Sequence, residues 1–400
     1  MNLSDVFSAV VHKELVAVDL PHAGSNQHEL NGVAPLRDFF GTNEETRGKV
    51  SWHYFADDLA PTQGEGDFTF YDARAKSAER TGRSEWRFYY HGDFLSAGSV
   101  GDLLVLARSN SGRFFGLLFQ SGSAWQRAAQ ELFGIREVEA SFREISGPLL
   151  NARQIELLRQ QILAELDLGL AIPVAPCDEE LMVAQFGHDF PSTREVSAFA
   201  RAQVDTTDCP ADLVLTRWLE REEQLFRAME SVIIRQRLTR KFETVDEFIQ
   251  YSLSVQNRRK SRMGFALQNH LAELFKRHRL AFVPQARTEA ANRPDFLFPG
   301  EREYHDASFD AALLVMLGVK STSKDRWRQV LTEADRIPEK HLCTLEAGIS
   351  IKQTDEMRRQ HLTLVVPASL HATYTEKQLA DVLSVDDFIQ FVRKKQASVP

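Results

Sequence analysis

Cysteine is scarce in this chain, which has three cysteines in 400 residues. Cys177, Cys209 and Cys343 stand far apart and show none of the close spacings typical of zinc ligands. The scarcity argues against a disulfide-stabilised scaffold and against a structural zinc site, and it favours reduced thiols.

Long apolar runs are also missing. No window approaches the roughly 20 uninterrupted apolar residues that a membrane-spanning helix requires. The N-terminal stretch "MNLSDVFSAVVHKELVAVDL" is interrupted by Asp5, His12, Lys13 and Glu14, so it does not resemble a signal peptide. There is no internal repeat and no low-complexity tract. We therefore expect a cytoplasmic protein without membrane contacts.

The composition is that of a globular protein, with 43% hydrophobic and 26% charged residues, and the length suits two or three domains. A net charge of −8 argues against a nucleic-acid partner if it is evenly spread. It is not: residues 231–330 hold 18 Lys and Arg against 11 Asp and Glu. A basic segment in an acidic chain is the asymmetry expected when one region faces phosphates.

The first part of the chain predicts a β-rich domain, residues 1–170. Short strand patterns such as "DFTFYDARA", "SEWRFYYHGDF", "VGDLLVLARS" and "GRFFGLLFQS" are separated by Gly, Ser and Asn turns. The stretch "SAWQRAAQELFGI" has helical spacing and a glycine stop, and residues 151–170 predict a further helix.

The middle of the chain predicts a linker over residues 171–212, because it is acidic and contains prolines. Long helical patterns follow, including "TVDEFIQYSLSVQNRRK" and "GFALQNHLAELFKRHRL". Short apolar runs then alternate with helical ones, which predicts an α/β domain over residues 213–400.

The stretch "RPDFLFPGEREYHDASFDAALLVMLGVKSTSKDRWRQVLTEAD" suggests a phosphodiesterase site. Asp295 opens one apolar strand, and Lys320 closes another that would otherwise be fully buried. A lysine at the end of a core strand needs a charged partner, and Asp295 or a bound phosphate would suit it. Carboxylate-held magnesium can neutralise the phosphate and position water for hydrolysis. This is the core arrangement of the PD-(D/E)XK nuclease fold.

The usual motif has a second acid two residues before the lysine, where this chain has Gly318. Glu333 is the predicted replacement, at the edge of a helix whose apolar face carries Trp327, Val330, Leu331, Ala334 and Ile337. The alternative is that Lys320 extends its ammonium into solvent and that Glu333 is an ordinary surface residue.

Several blocks in order resemble the catalytic domain of the EcoRII family of type II restriction endonucleases. They are "VDEFIQYSLSVQNRRKSRMGFALQNHLAELF", "RPDFLFPGEREYHDASF", "VKSTSKDRWRQVLTEADRI" and "LVVPASLH", and the resemblance covers residues 217–396. It implies a catalytic and metal-binding centre of Asp295, Lys320 and Glu333 with Tyr304 in support. Asp295 and Glu333 would hold Mg²⁺.

The resemblance also implies DNA contacts and partners. The basic run Arg258, Arg259, Lys260 and Arg262 would contact DNA phosphates, and the protein would act as a homodimer beside a cognate DNA methyltransferase. Lys324, Asp325 and Arg326 would read the C·G pairs of a CC-x-GG site, since Lys and Arg donate to guanine and Asp accepts from cytosine. The alternative is a first-turn Asp325 that interacts with the helix dipole beside two surface cations.

The N-terminal part is similar, more faintly, to the effector domain of the same family, a DNA-binding pseudobarrel shared with plant transcription factors. The similarity rests on "YDARAKSAERTGRSEWRFYY" and the strand after it. It implies that a basic stripe approaches a second DNA site. The stripe comprises Arg74, Lys76, Arg80, Arg83 and Arg87. A solvated loop that also carries Glu79 and Glu85 is the alternative.

The chain departs from the family pattern at two places. Gln268 stands where the family has a metal-site glutamate, with Glu273 one turn further on, which puts a second metal ion in doubt. Family members extrude the central base into a pocket lined by an arginine and an aromatic residue, and those positions fall near Leu219 and Glu223 here. Trp218 and Phe226 are the candidate replacements, although both suit core positions better.

Two other functions remain open at the level of sequence. One is a DNA-binding regulator with a decayed nuclease centre, and the other is a repair nuclease of the same fold that acts on structured DNA.

Overall fold

The computed structural model describes residues 3–21, 29–42, 45–57, 59, 61–75, 84–145, 162, 166, 176–289, 292–321 and 327–398. The chain divides into two compact units, residues 1–172 and 173–400. None of the described helices is both long enough and apolar enough to cross a membrane. The helix predicted over residues 151–170 falls almost entirely outside the described residues.

The first unit is built on one eight-stranded sheet, which confirms the prediction of a β-rich N-terminal domain. The strands lie in the order β2-β5-β4-β3-β7-β6-β1-β8, with β3 and β7 parallel and the other neighbours antiparallel. They are β1 (Phe7–Glu14), β2 (Glu29–Asn31), β3 (Thr46–Phe55), β4 (Thr62–Asp72), β5 (Trp86–Tyr90), β6 (Leu103–Ser109), β7 (Phe114–Phe119) and β8 (Arg143–Glu144). Helices α1 (Ala34–Phe40) and α2 (Ala124–Phe133) accompany the sheet.

An aromatic core fills one face of this sheet. Trp52 on β3 is buried and pairs across the sheet with Gly116 on β7. A Cβ at position 116 would lie 2.1 Å from the Trp52 ring, so glycine is needed there. Helix α2 begins after Ser123, whose side chain accepts from the Gln126 N–H, and ends at the left-handed Gly134, as the sequence predicts.

The second unit combines helices with a six-stranded sheet, which confirms the predicted α/β class. The strand order is β14-β13-β12-β11-β10-β9; β9 to β11 are antiparallel, whereas β11 to β14 are parallel. The strands are β9 (Val283–Pro284), β10 (Phe296–Phe298), β11 (Val315–Lys320), β12 (Lys340–Thr344), β13 (Leu362–Val365) and β14 (Val382–Leu383).

The helices of the second unit begin before the predicted domain start. They are α3 (Pro176–Phe186), α4 (Thr193–Ala202), α5 (Ala211–Leu238), α6 (Val245–Arg277), α7 (Glu301–His305), α8 (Trp327–Val330), α9 (Ile351–Arg359), α10 (Glu376–Leu379) and α11 (Val385–Ala397). Residues 171–212, which we expected to link the domains, thus contain α3 and α4. Met182 on α3 and Val196 on α4 share a buried cluster with Leu225 and Met229 on α5, because each short helix has an apolar side to bury.

Helix α6 joins two helices that the sequence suggested as separate. Gly264 lies within it, and a Cβ there would meet nothing within 4 Å. The glycine is therefore tolerated by the helix, at a cost of about 1 kcal/mol relative to alanine, and does not interrupt it.

Aromatic packing fixes the strand that carries the candidate site. The ring centroid of Phe275 on α6 lies 5.2 Å from that of Phe296 and 5.3 Å from that of Phe298, both on β10. Phe298 also packs on Phe388 of α11. These contacts anchor one face of β10 against the two helices, and Asp295 immediately precedes the strand.

Candidate active site

Asp295 and Lys320 meet at the edge shared by β10 and β11. The two strands are antiparallel, so the start of β10 lies beside the end of β11. The Lys320 Nζ lies 4.0 Å from the Asp295 Oδ2. The carboxylate therefore supplies the charged partner that a lysine at the end of a buried strand requires.

The Asp295 carboxylate is buried and held by three hydrogen bonds. Its Oδ1 accepts from the side-chain amides of Gln268 and Gln285, each at 2.8 Å. Its Oδ2 accepts from the Val319 N–H at 2.6 Å. Burial raises the pKa of Asp295, while the Val319 N–H, the Lys320 charge and the Gln285 amide oppose that rise.

Gly318 is explained by packing. A Cβ at this position would lie 2.8 Å from the Cγ2 and 3.0 Å from the Cγ1 of Val330 on α8. Val330 is fully buried, so its side chain occupies the space that an acid at position 318 would need. The usual second carboxylate of the motif cannot be placed here without moving α8.

Glu333 brings the second carboxylate to the site, but from a turn. Helix α8 ends at Val330, and Ala334 takes a left-handed conformation with φ 53°, so the longer helix expected through Ile337 does not form. Burial and the nearby charge of Asp295 raise the pKa of Glu333 from 4.5 to about 7, and Lys320 and Lys340 oppose the rise. The two carboxylates and Lys320 therefore interact electrostatically.

Hydrogen bonds from two side chains fix the turn that carries Glu333. The Lys340 ammonium donates to the carbonyls of Glu333 and Ala334, and the Asn292 amide donates to the Thr332 carbonyl at 2.7 Å. The turn is thus held from β12 and from the loop before β10. Neither Lys340 nor Asn292 carries a sequence signal for this role.

Tyr304 lies beside the same turn, and its hydrogen bonds go to residues other than Asp295 and Glu333. It is fully buried; its hydroxyl donates to Glu289 and accepts from the Arg336 N–H at 3.2 Å. The Arg336 guanidinium in turn donates to the Tyr304 carbonyl. Tyr304 therefore contacts the segment around Glu333, and its supporting role stays a prediction.

The residues present fit a divalent cation. Among the described residues, no three His, Cys, Asp or Glu side chains form a cluster that could hold a metal by themselves. Asp295 and Glu333 nevertheless supply two hard oxygen ligands. The Glu333 Oε2 is buried and has no hydrogen-bond partner, which is the state of an acceptor that lacks its ligand.

The basic residues at positions 258–262 of α6 differ in their exposure and in their partners. Arg258 is exposed, and its guanidinium lies over the Phe190 ring at 3.8 Å from the centroid. Arg259 binds Glu230 at 2.8 and 2.9 Å. The side chain of Lys260 lies outside the described residues.

The expectation that Arg262 contacts DNA phosphates is corrected. Arg262 is 4% exposed and forms ion pairs with Glu222 and Glu223 of α5. A guanidinium so enclosed cannot reach a phosphate, since its donors are committed to buried carboxylates. The pattern of four cations in five positions did not reveal that one of them points into the protein.

Several other predicted residues have a defined place. Arg74 pairs with Glu85 at 2.6 Å, and Arg87 pairs with the same Glu85 and with Glu29 at 3.7 Å. Trp218 and Phe226 are buried core residues. Lys76, Arg80, Arg83 and the triplet Lys324, Asp325 and Arg326 lie outside the described residues.

Residues 226–389 match the family model "EcoRII C terminal". This part of the chain is therefore similar to the C-terminal domain of EcoRII. Type II restriction enzyme EcoRII of Escherichia coli is 40% identical over 234 residues, which is 58% of each chain. The alignment thus leaves a large part of that relative unmatched.

Two solved structures also resemble the chain at low identity. One is metal-depleted Ecl18kI in complex with uncleaved, modified DNA, with a TM-score of 0.44, 15% identity and coverage of 56% of this chain and 86% of that one. The other is a restriction endonuclease PspGI–substrate DNA complex, with a TM-score of 0.43, 13% identity and coverage of 52% and 94%. The EcoRII C-terminal match and the mixed sheet together give the second unit a restriction-endonuclease-like fold.

Proposed function

We propose that the protein is a type IIE restriction endonuclease that hydrolyses both strands of DNA at a CC-x-GG site with Mg²⁺. The observation that carries the proposal is the convergence of Asp295, Lys320 and Glu333 at the end of β11. The match of residues 226–389 to the EcoRII C-terminal family model supports it.

The chain's residues divide the chemistry among them. Asp295 and Glu333 would hold Mg²⁺, which when bound neutralises charge at the scissile phosphate and activates water. Lys320 holds its ammonium beside Asp295, where it can pair with a phosphate oxygen. Gln268, Gln285 and the Val319 N–H fix the orientation of Asp295, so that the carboxylate need not reorganise when substrate arrives.

Incubation with a plasmid that carries CC-x-GG sites, in the presence of Mg²⁺, tests the proposal. Wild type should give discrete double-stranded fragments. Lys320→Ala and Asp295→Asn should abolish cleavage and leave specific DNA binding largely intact, because their work is at the metal and the reacting phosphate. Lys377→Ala, which changes an exposed lysine on α10, is the control.

The same assay separates the competing functions. Specific binding without cleavage would favour the DNA-binding regulator, and nicking that depends on DNA structure would favour the repair nuclease. Cleavage at the wild-type rate by Lys320→Ala would end the assignment of this centre.

Site recognition is assigned to Lys324, Asp325 and Arg326, which follow the strand that ends at Lys320. Asp325→Ala should weaken discrimination of C·G pairs by about 1–3 kcal/mol per lost base contact. Cleavage of CC-x-GG duplexes against singly substituted ones measures this. Equal discrimination by wild type and variant would remove the readout role.

A homodimer is part of the proposal because the described residues of one chain form one such centre, whereas a symmetric double-strand cut needs two. A surface on α6 supports it: Val245, Ile249 and Leu253 recur every four residues and are 74%, 46% and 51% exposed. We call these three residues the apolar stripe. A two-fold axis near Ile249 would bring Val245 of each copy against Leu253 of the other, so the stripe is self-complementary.

The N-terminal unit is proposed to bind a second copy of the DNA site through its basic stripe. Of the five stripe residues, the structure describes Arg74 and Arg87. Both form ion pairs with Glu85, which brings their side chains close together. A DNA methyltransferase that protects the same site would be the functional partner of the nuclease.

A further inference from the structure

The acceptor capacity of Asp295 is unevenly used. An ionised carboxylate offers about four lone-pair positions, two on each oxygen. On Oδ1 both are taken, by the amides of Gln268 and Gln285 at 2.8 Å. On Oδ2 the Val319 N–H takes one, and the Lys320 ammonium remains at 4.0 Å, beyond hydrogen-bond distance.

The two amides reach Oδ1 from separate parts of the fold. Gln268 lies on α6, and its orientation is set by the packing of that helix. Gln285 follows β9 in a left-handed conformation with φ 51°, and its backbone N–H donates to the Asp295 carbonyl at 3.1 Å. A non-glycine residue is strained in this region, so the conformation is kept where surrounding contacts enforce it. Gln285 therefore holds Asp295 through both its backbone and its side chain.

The acceptor positions that remain free are on the Asp295 Oδ2 and on Glu333, not on the Asp295 Oδ1. The remaining position on the Asp295 Oδ2 and the unpartnered Glu333 Oε2 are acceptors available to a cation. Because both amides present their N–H groups to Oδ1, that oxygen has no lone pair left for a cation on its side.

We infer that Gln268 and Gln285 restrict this centre to a single divalent cation, which Asp295 holds through Oδ2 and Glu333 through its carboxylate. The inference rests on the proposed metal-dependent function and adds its stoichiometry. Gln268 and Gln285 are positioning residues in this scheme, since they act through Asp295.

Replacing Gln268 by glutamate is the informative change. Gln268→Glu removes one donor from the Asp295 Oδ1 and puts a second negative charge next to it. Two carboxylates at hydrogen-bond distance repel each other, and at pH 8 in the presence of Mn²⁺ a cation bound between them relieves that repulsion without protonation of either. The variant should therefore gain a second cation site.

Manganese binding to the full-length protein without DNA tests the inference independently of catalysis. Free Mn²⁺ is measured by electron paramagnetic resonance during a titration at pH 8. Wild type should bind one Mn²⁺ per chain and Gln268→Glu two. Gln268→Ala should bind one, because it removes the donor without adding a ligand. Gln256→Glu adds a charge at an exposed position of the same helix and should also bind one.

The possible results separate the single-cation inference from the proposed metal-dependent nuclease function. Two ions in wild type, or a single ion in Gln268→Glu, would overturn the single-cation inference while a metal-dependent nuclease remained intact. No Mn²⁺ bound by any of the four proteins would overturn the proposed metal centre, and the inference with it. Loss of binding in Glu333→Gln would support Glu333 as the second ligand.

Discussion

At the scale of single residues, Gly318 shows how packing decides a catalytic pattern. Its missing side chain leaves room for the buried Val330, and in the proposed centre Glu333 would supply the acid that the motif has at this position. The glycine is thus a packing requirement of α8 as well as a departure from the motif.

Gly318→Ala should destabilise the protein by about 1–3 kcal/mol, because the new Cβ would overlap the Val330 side chain. Val330→Ala should cost stability by leaving a cavity, and the double variant should be more stable than the sum of the two losses predicts. Urea unfolding of the four proteins gives this coupling. If the two stability losses are strictly additive in the double variant, a side chain at position 318 does not contact Val330.

Glu333 should make the stability of the metal-free protein depend on pH. Its pKa is raised from 4.5 to about 7 by burial and by Asp295. Between these values the folded state keeps a proton that the unfolded state has lost, so this group's contribution falls as pH rises. Below about 4.5 both states are protonated and no penalty exists; above about 7 the penalty is complete.

Urea unfolding in EDTA from pH 5 to 8 measures this effect. The stability of wild type relative to Glu333→Gln should decline as pH rises through that range. Glu339→Gln, at an exposed position, should follow wild type at every pH. Parallel curves for wild type and Glu333→Gln would contradict the raised pKa.

At the scale of elements, a buried ionic network joins α5 to α6. Arg262 contacts Glu222 and Glu223, Arg259 contacts Glu230, and the His270 Nε2 lies 2.9 Å from Glu222. We expect the network to fix the position of α6 along α5. Because Gln268 lies on α6, the network would then also fix the position of its amide relative to Asp295.

Arg262→Met should cost about 3–5 kcal/mol, because it leaves two buried carboxylates without their cation. Arg258→Met, four residues earlier and exposed, is the matched control and should change stability little. Denaturant unfolding and the salt dependence of DNA binding separate the two roles. An Arg262 variant of normal stability with a smaller salt slope would restore Arg262 as a phosphate contact.

The apolar stripe on α6 should hold the dimer. Ile249→Glu places a charge at the proposed two-fold axis, so sedimentation should show a dimer for wild type and a monomer for the variant. Leu59→Glu, at a position 58% exposed in the first unit, should remain dimeric. A monomeric wild type would refute the dimer, and a dimeric Ile249→Glu would move its interface elsewhere.

At the scale of the whole molecule, the division at residue 172 predicts an independent nuclease unit. Removal of residues 1–175 leaves α3 and α4 with the helix they pack on. The truncated protein should cleave plasmids with one site as well as plasmids with two, whereas wild type should need two.

Cleavage rates on one-site and two-site plasmids test the effector role, with circular dichroism as the check of folding. A truncated protein that folds but cleaves neither plasmid would count against an N-terminal unit that regulates the nuclease.

The sequence by itself determined the two fold classes and the chemical core of the candidate site. Strand and helix periodicities are local, and burial selects them directly, so the β-rich and α/β halves were readable. Lys320 at the end of an apolar strand was readable too, because an ammonium there needs a partner and Asp295 was the nearest acid opening a strand.

Tertiary structure alone decided which side chains serve that core. The burial of Arg262 depends on carboxylates about 40 residues away on α5, and Gln285 reaches Asp295 because of a left-handed backbone that no local pattern signals. Helix α8 stops at Val330 because the turn after it is held by Lys340 and Asn292. Such contacts depend on where distant segments pack, and single-sequence periodicity carries no record of that.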